Sequence, residues 1–311
     1  MEIKPYLYVL AGIVMYLFLG MLLGSCGSSI QAKPQNEGVD NPTSTQTFWD
    51  DYDFNNVALI HQPDITEQKF ANFCVTLSRM SEPERSRQVD TLLTRSLRGS
   101  RDMFANFMTL AEKYLYDPNS PYRNGELYLP FLQWTIHSTQ IEDVWKERPR
   151  YQLKLVLENR VGTQAHDFHY ITNGRSSTKG IATKGTLYGI KSEYTLIYFN
   201  NPECHDCGRV HGYLVASKIF TTMLQTGRLK LLALYPDEDL GAWSRHKEEY
   251  PSSWIAARYA KKADRETYHL PAIPSLYLLD KNKKVLLKDA PVEAVEEYLR
   301  KSAKSAGDLK R

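Results

Sequence analysis

A chain of 311 residues exceeds one average domain, and its 42% apolar content is enough to bury real cores. Its 39 Lys and Arg stand against 36 Asp and Glu, a formal charge of +3 spread along the chain, which argues for neither a nucleic-acid partner nor a charged membrane surface. Four cysteines are too few for a disulfide framework at this length.

The chain opens on Lys4 and an apolar segment over residues 6–23, followed by Gly24-Ser25-Cys26 and a polar tract. The run reaches roughly the 18 residues that suggest a membrane helix, while the small residues at its end suit a signal peptide. Leu23-Gly24-Ser25-Cys26 resembles the bacterial lipobox. That resemblance implies a removed signal peptide over residues 1–25 and a lipidated Cys26, and a lipoprotein is favoured over an uncleaved helix. Either way the remainder lies outside the cytoplasmic membrane, where disulfides matter. The expected location is the cell envelope, lipid-anchored, facing the periplasm or on the outer membrane. Residues 26–47 are rich in Ser, Gln, Asn, Pro and Gly and read as a flexible tether.

From residue 48 to 159 the pattern is helical. Asp64 can cap a helix whose one face carries Phe70, Phe73, Cys74, Leu77 and Met80. Ser81-Glu82-Pro83-Glu84 is a capping box that opens a helix through Val89, Leu92, Leu93 and Leu97. Gly99 ends it, and Ser100 can cap the next, with Met103, Phe104, Phe107, Leu110 and Tyr114. Two more helices are expected over 127–136 and 143–157, with Pro130 in the first turn of one and Pro149 kinking or dividing the other. The result is an all-α domain of about five helices with no catalytic constellation. Cys74, on an apolar stripe, reads as a buried free thiol, and Trp49, Tyr114, Trp134 and Trp145 as packing residues.

Around Arg160 the character changes. Residues 172–185 are poor in apolar side chains and suit a hairpin or loops. Tyr194–Phe199 is an aromatic and β-branched run of strand length, broken by Asn200-Asn201-Pro202. Cys204-His205-Asp206-Cys207 follows, and residues 211–226 read as a helix behind it. Leu229–Tyr235 is a second buried strand, and residues 240–250 look helical, with one further turn near 265–268. Ile273-Pro274 then leads into Ser275-Leu276-Tyr277-Leu278-Leu279, a turn over 280–283, a strand at Val285–Leu287, and a terminal helix opened by Pro291. Residues 304–311 are a polar tail.

A thiol at a helix start faces unpaired N–H groups and the positive end of the helix dipole, which favour the thiolate. Only the thiolate attacks a disulfide, so Cys204 is the expected nucleophile and Cys207 the resolving thiol. Between them, a protonated His205 would favour the thiolate and Asp206 would oppose it, so no particular potential follows. Half a zinc site is a competing reading, but there is no second CxxC and His211 alone leaves it short of ligands; no metal and no cofactor are expected. A static disulfide and an inactive domain that keeps both cysteines compete too.

The order strand, CxxC helix, strand, helix, Pro-strand, hairpin, strand, helix over residues 160–303 resembles the thioredoxin fold. Gly162 to Phe168, as a lead-in, is similar to the TlpA/ResA-type envelope branch. The whole chain is similar to lipoproteins with a helical domain of unknown function ahead of such a module. The resemblance implies an α/β thioredoxin-like C-terminal domain, a central mixed sheet flanked by helices, behind the all-α domain. It also implies a cis-proline at Pro274 opposite the cysteines, with the Ile273 backbone holding substrate. In the family a tryptophan often precedes the first cysteine, where Glu203 stands here, and an acid is often buried on the central strand, where Tyr198 stands here. Glu193, Glu203 and Asp206 are then the candidate proton acceptors for Cys207 by proximity in sequence.

The implied activity is thiol–disulfide exchange with envelope proteins, reductant favoured, fed by a membrane-embedded thiol donor. A non-catalytic protein-binding scaffold with a vestigial redox domain is the alternative. Peroxidase chemistry is a third reading, set against Asn201 standing where peroxiredoxins carry Thr or Ser.

Overall fold

The structure is a computed structural model that describes residues 48–172 and 182–305. The expected signal peptide, Cys26 and tether over residues 1–47, residues 173–181 of the segment expected as a hairpin or loops, and residues 306–311 lie outside the described residues.

Among the described residues, the N-terminal part carries five α-helices: α1 (Thr66–Ser78), α2 (Glu82–Gly99), α3 (Arg101–Leu115), α4 (Gly125–His137) and α5 (Glu147–Leu157). Local chemistry sets several of their ends. The Ser81 N–H donates to the Glu84 carboxylate at 3.0 Å, and the Ser100 hydroxyl accepts from the Met103 N–H at 3.0 Å. Their apolar faces close over a core in which Trp49 packs edge-on against Phe73 and Phe107 at 5.2 and 5.1 Å. Cys74 is buried there, and burial pushes its thiol up to about 12.

Several expectations for this region need correction. Residues 48–61 are turns and a short 3₁₀ helix, because Asp53 and Asn56 side chains accept from the Asn55 and Ala58 N–H groups and divert the backbone into Asx turns. Asp64 does not cap α1; the first N–H groups reach the Gln62 and Pro63 carbonyls instead. Pro130 lies inside α4, since Asn124 caps that helix through Glu126 and Leu127 and starts it earlier than the apolar pattern suggested. Pro149 falls in the first turn of α5, where the missing N–H is harmless, behind a 3₁₀ turn at Asp143–Lys146. Trp145 is 68% exposed and not part of the packing.

The rest, among the described residues, is a seven-stranded mixed sheet in the order β2-β1-β5-β4-β3-β6-β7. Its strands are β1 (His169–Thr172), β2 (Lys184–Thr186), β3 (Tyr194–Phe199), β4 (Leu229–Tyr235), β5 (Ile255–Tyr259), β6 (Ser275–Asp280) and β7 (Val285–Leu287). Strands β3, β4 and β5 run parallel, while β6 is antiparallel to β3 with Phe199 opposite Ser275. Alternation along β3 sends Leu196 and Tyr198 to one face and Ile197 and Phe199 to the other. Among the described residues, four α-helices flank the sheet: α6 (His205–Ala216), α7 (Lys218–Gln225), α8 (Leu240–His246) and α9 (Val292–Ser305). They pack on the Leu196 face, and the other face is filled by aromatic residues such as Phe168, Tyr268 and Tyr277.

The helix expected over 211–226 starts at His205 and breaks at Ser217, whose hydroxyl accepts from the Phe220 N–H and donates to Glu296 at 3.1 Å. Strand β5 was not expected, because its alanines carry little strand preference; it forms because β4 offers it a parallel ladder. Helix α9 continues to Ser305, into the stretch read as a polar tail.

The helical part is tied to the sheet by polar contacts. Lys288 donates to the Val156 and Glu158 carbonyls at 3.1 and 2.5 Å, closing the end of α5. Asn159 donates to the Thr267 carbonyl at 2.8 Å, and Arg123 reaches Asp289 at 2.9 Å.

Candidate active site

The site begins where β3 ends. Asn200 is buried, and its three bonds lock the turn: its N–H donates to Leu234 O at 3.1 Å, its amide to Tyr198 O at 2.8 Å, and its Oδ1 accepts from the Tyr250 hydroxyl at 2.7 Å. Asn201 then folds an Asx turn, accepting from the Glu203 N–H at 2.9 Å through its side chain and from the Cys204 N–H at 3.0 Å through its carbonyl. Chain direction is thereby reversed, and α6 starts immediately after Cys204.

Cys204 is the N-cap of α6, and its sulfur accepts from the Cys207 N–H at 3.3 Å. A backbone donor and the positive end of the helix thus converge on the sulfur where exchange chemistry places negative charge. Cys204 is half-buried, at the floor of an open hollow lined by Pro202, Glu203, His205 and Arg209. Cys207, 1% exposed, lies underneath. Burial first, and the adjoining Cys204 sulfur second, push the Cys207 thiol far above its ordinary value, with a small further push from Asp206. Both residues are free thiols.

Strand direction brings Ile273-Pro274 to the same place. Because β6 runs antiparallel to β3, its first residues lie beside the last residues of β3. The Ile273–Pro274 peptide bond is cis, as the resemblance implies, and the Ile273 carbonyl oxygen is 3.8 Å from the Cys204 sulfur. The structure therefore gathers Cys204, Cys207, Ile273 and Pro274. His205 and Asp206 stand exposed on the first turn of α6, beside the cysteines.

The three carboxylates considered as proton acceptors do not meet Cys207. Glu193 bonds Arg228 at 2.6 Å at the opposite end of β3, and Glu203 bonds Arg245 at 2.7 Å on the surface. Each guanidinium holds its partner carboxyl below the usual range. Asp206 is exposed on the first turn of α6, and its charge acts on Cys207 only as that small upward push. Tyr198, on the central strand, donates its hydroxyl to the Cys207 carbonyl at 2.6 Å.

One feature escaped the sequence reading. A cavity of about 260 Å³ lies behind Cys207, lined also by Tyr198, Asn200, His211, His246 and Tyr250. His211 is half-buried and packs on Trp254 with ring centroids 4.8 Å apart. Its spacing of four from Cys207 on one helix is the signal in the sequence that points to this placement. Among the described residues, no group of three or more His, Cys, Asp or Glu is placed to hold a metal ion. Among the same residues, no helix is long and apolar enough to cross a membrane.

Residues 45–159 match a family described as a domain of unknown function, DUF5106. A crystal structure of a thioredoxin-like protein from Bacteroides caccae is 38% identical, over 81% of this chain and 89% of that one, with a TM-score of 0.73. The C-terminal domain of an uncharacterized protein from Bacteroides fragilis is 41% identical, over 46% of this chain and 99% of that one, with a TM-score of 0.40. A thioredoxin domain of a thiol-disulfide oxidoreductase from Bacteroides vulgatus is 23% identical, over 45% of this chain and 97% of that one, with a TM-score of 0.36. No curated protein matches the chain.

Proposed function

This chain belongs to the thioredoxin-like proteins, and from that footing we propose that it is a membrane-anchored thiol–disulfide oxidoreductase of the cell envelope. One observation carries the reading: the Cys204 sulfur caps α6, receives the Cys207 N–H at 3.3 Å and lies 3.8 Å from the carbonyl before Pro274. A half-buried sulfur in a helix-start field is suited to attack a disulfide, and a buried thiol one turn below is suited to resolve it.

In this reading the backbone of Ile273 pairs with an extended segment of the partner and presents its disulfide to Cys204. His205 and Asp206 tune the pair from the first turn. Electrons flow from the dithiol to the partner, which makes the protein a reductant recharged by a membrane-embedded thiol donor. Lipidated Cys26 and the tether of residues 26–47 hold the module at the membrane. A second reading, a protein-binding scaffold with idle cysteines, draws on the exposed Val144, Trp145 and Tyr151 of the helical part.

Trapping separates the two. Cys207→Ala leaves Cys204 unable to be released, so envelope proteins accumulate as mixed disulfides that dithiothreitol dissolves, while the Cys204→Ala, Cys207→Ala pair captures none. Cells producing Cys207→Ala that yield no such adducts, with the protein in the membrane fraction, would favour the scaffold.

A further inference from the structure

We propose that His211 is the proton acceptor for Cys207 in the resolving step, an inference that rests on the thiol–disulfide reading above. Cys207 and His211 are four residues apart on α6, so their side chains share one helix face, and both line the same cavity of about 260 Å³. The His211 ring is held by Trp254 and Tyr250 at centroid distances of 4.8 and 5.9 Å.

The other polar groups around this cavity are committed elsewhere. Tyr198 donates to the Cys207 carbonyl and Tyr250 to Asn200, and burial pushes both phenols upward. From the turn after α8, Glu249 is held by His246 at 2.7 Å, and the other ring nitrogen of His246 lies 3.5 Å from Glu203 on the surface. Burial keeps the His211 imidazole below its ordinary range, with Glu249 opposing, so the ring is neutral and able to accept a proton at neutral pH. Glu193 and Glu203 are held by Arg228 and Arg245, and Asp206 is exposed on the first turn of α6; none of the three lines this cavity.

Order of events matters. The Cys204 thiolate attacks a partner disulfide; the partner S–S bond breaks, one partner thiolate leaves, and a Cys204 mixed disulfide forms. With Cys204 no longer an anion, its contribution to the upward push on Cys207 is lifted, leaving burial and the smaller push of Asp206, opposed by the Asn201 backbone. The Cys207 S–H gives its proton to a His211 ring nitrogen, and its sulfur attacks the Cys204 sulfur. The mixed disulfide breaks, a Cys204–Cys207 disulfide forms, and the second partner thiolate leaves, so the partner has gained the two electrons the cysteines lost. His211 then passes its proton to that thiolate or to water in the cavity.

An aromatic disulfide such as Ellman's reagent reads the two steps separately. The first coloured thiolate reports attack by Cys204 and the second reports resolution by Cys207. With the full chain, His211→Asn should slow the second release about 10²-fold, the scale of lost general-base catalysis. The rise of that step with pH should then move from the imidazole range to that of a buried thiol. Added imidazole should restore the second release in His211→Ala, which a packing role would not allow. A second release in His211→Asn with the native rate and pH profile would overturn this inference and leave the parent reading standing. If the native protein releases no second thiolate at any pH, the parent reading fails and this one with it.

Discussion

The pair Arg123–Asp289 offers a sharp test of how the helical part supports the site. Arg123 Nη2 lies 2.9 Å from Asp289 Oδ2, and the two side chains are only 19% and 13% exposed. The other Asp289 oxygen accepts at 2.5 Å from the hydroxyl of Ser275, the residue after Pro274. Unit charges about 3 Å apart attract by roughly 5–6 kcal/mol at an effective dielectric near 20. Desolvation offsets much of that, so the net coupling should be about 2 kcal/mol. Arg123→Ala strands a largely buried carboxylate and should cost about 3 kcal/mol. Asp289→Asn keeps the shape and tolerates the left-handed backbone at this position, φ 49°, so its cost should be nearer 2 kcal/mol. The double variant should therefore lose about 3 kcal/mol, not the roughly 5 of the summed singles. Urea unfolding followed by tryptophan fluorescence, with all four proteins of the cycle, gives the coupling directly. A coupling below about 0.5 kcal/mol would mean that water already separates the charges and the reasoning is wrong.

Two further outcomes follow from packing and titration. A Cβ on Gly99 would meet the Phe54 carbonyl oxygen at 2.1 Å, so Gly99→Ala must push α2 off the 48–61 segment and should cost about 2–3 kcal/mol, seen as a lower melting temperature at unchanged activity. Burial holds the His211 and His269 imidazoles below their ordinary value of 6.5, so the unfolded chain binds protons that the folded one refuses. Their contribution is therefore complete above about pH 6.5 and declines as pH falls from there toward the depressed folded values, where slopes from paired carboxylates have not yet set in. Urea midpoints that fail to drop between about pH 7 and 5.5, or that drop equally in a His211→Asn, His269→Asn variant, would refute that assignment.

Much of the fold was legible because its causes are local. The Ser81-Glu84 box, the Ser100 cap and the turn at 280–283 depend on side chains reaching backbone groups a few residues away. The aromatic run Tyr194–Phe199 and the apolar run Leu229–Tyr235 read as buried strands because both faces of a central strand are covered. Strand β5 stayed hidden for the converse reason: Ala256 and Ala257 state no preference, and the ladder that makes them a strand is supplied by Leu232–Tyr235 some twenty residues away. The break at Ser217 likewise engages Glu296 in α9, 79 residues on.

At the site the division is similar. By itself, the amino-acid sequence determined that two thiols would stand at the start of a helix behind a strand, and that a proline would precede a later strand, because spacing and turn chemistry act over a handful of residues. Tertiary structure alone decided that β6 would run antiparallel to β3 and carry the Ile273 carbonyl to within 3.8 Å of Cys204. It also decided that Glu193 and Glu203 would be drawn away by arginines while His211 turned into the cavity behind Cys207. Those outcomes rest on the burial and charge supplied by remote segments, and such fields exist only once the chain has folded.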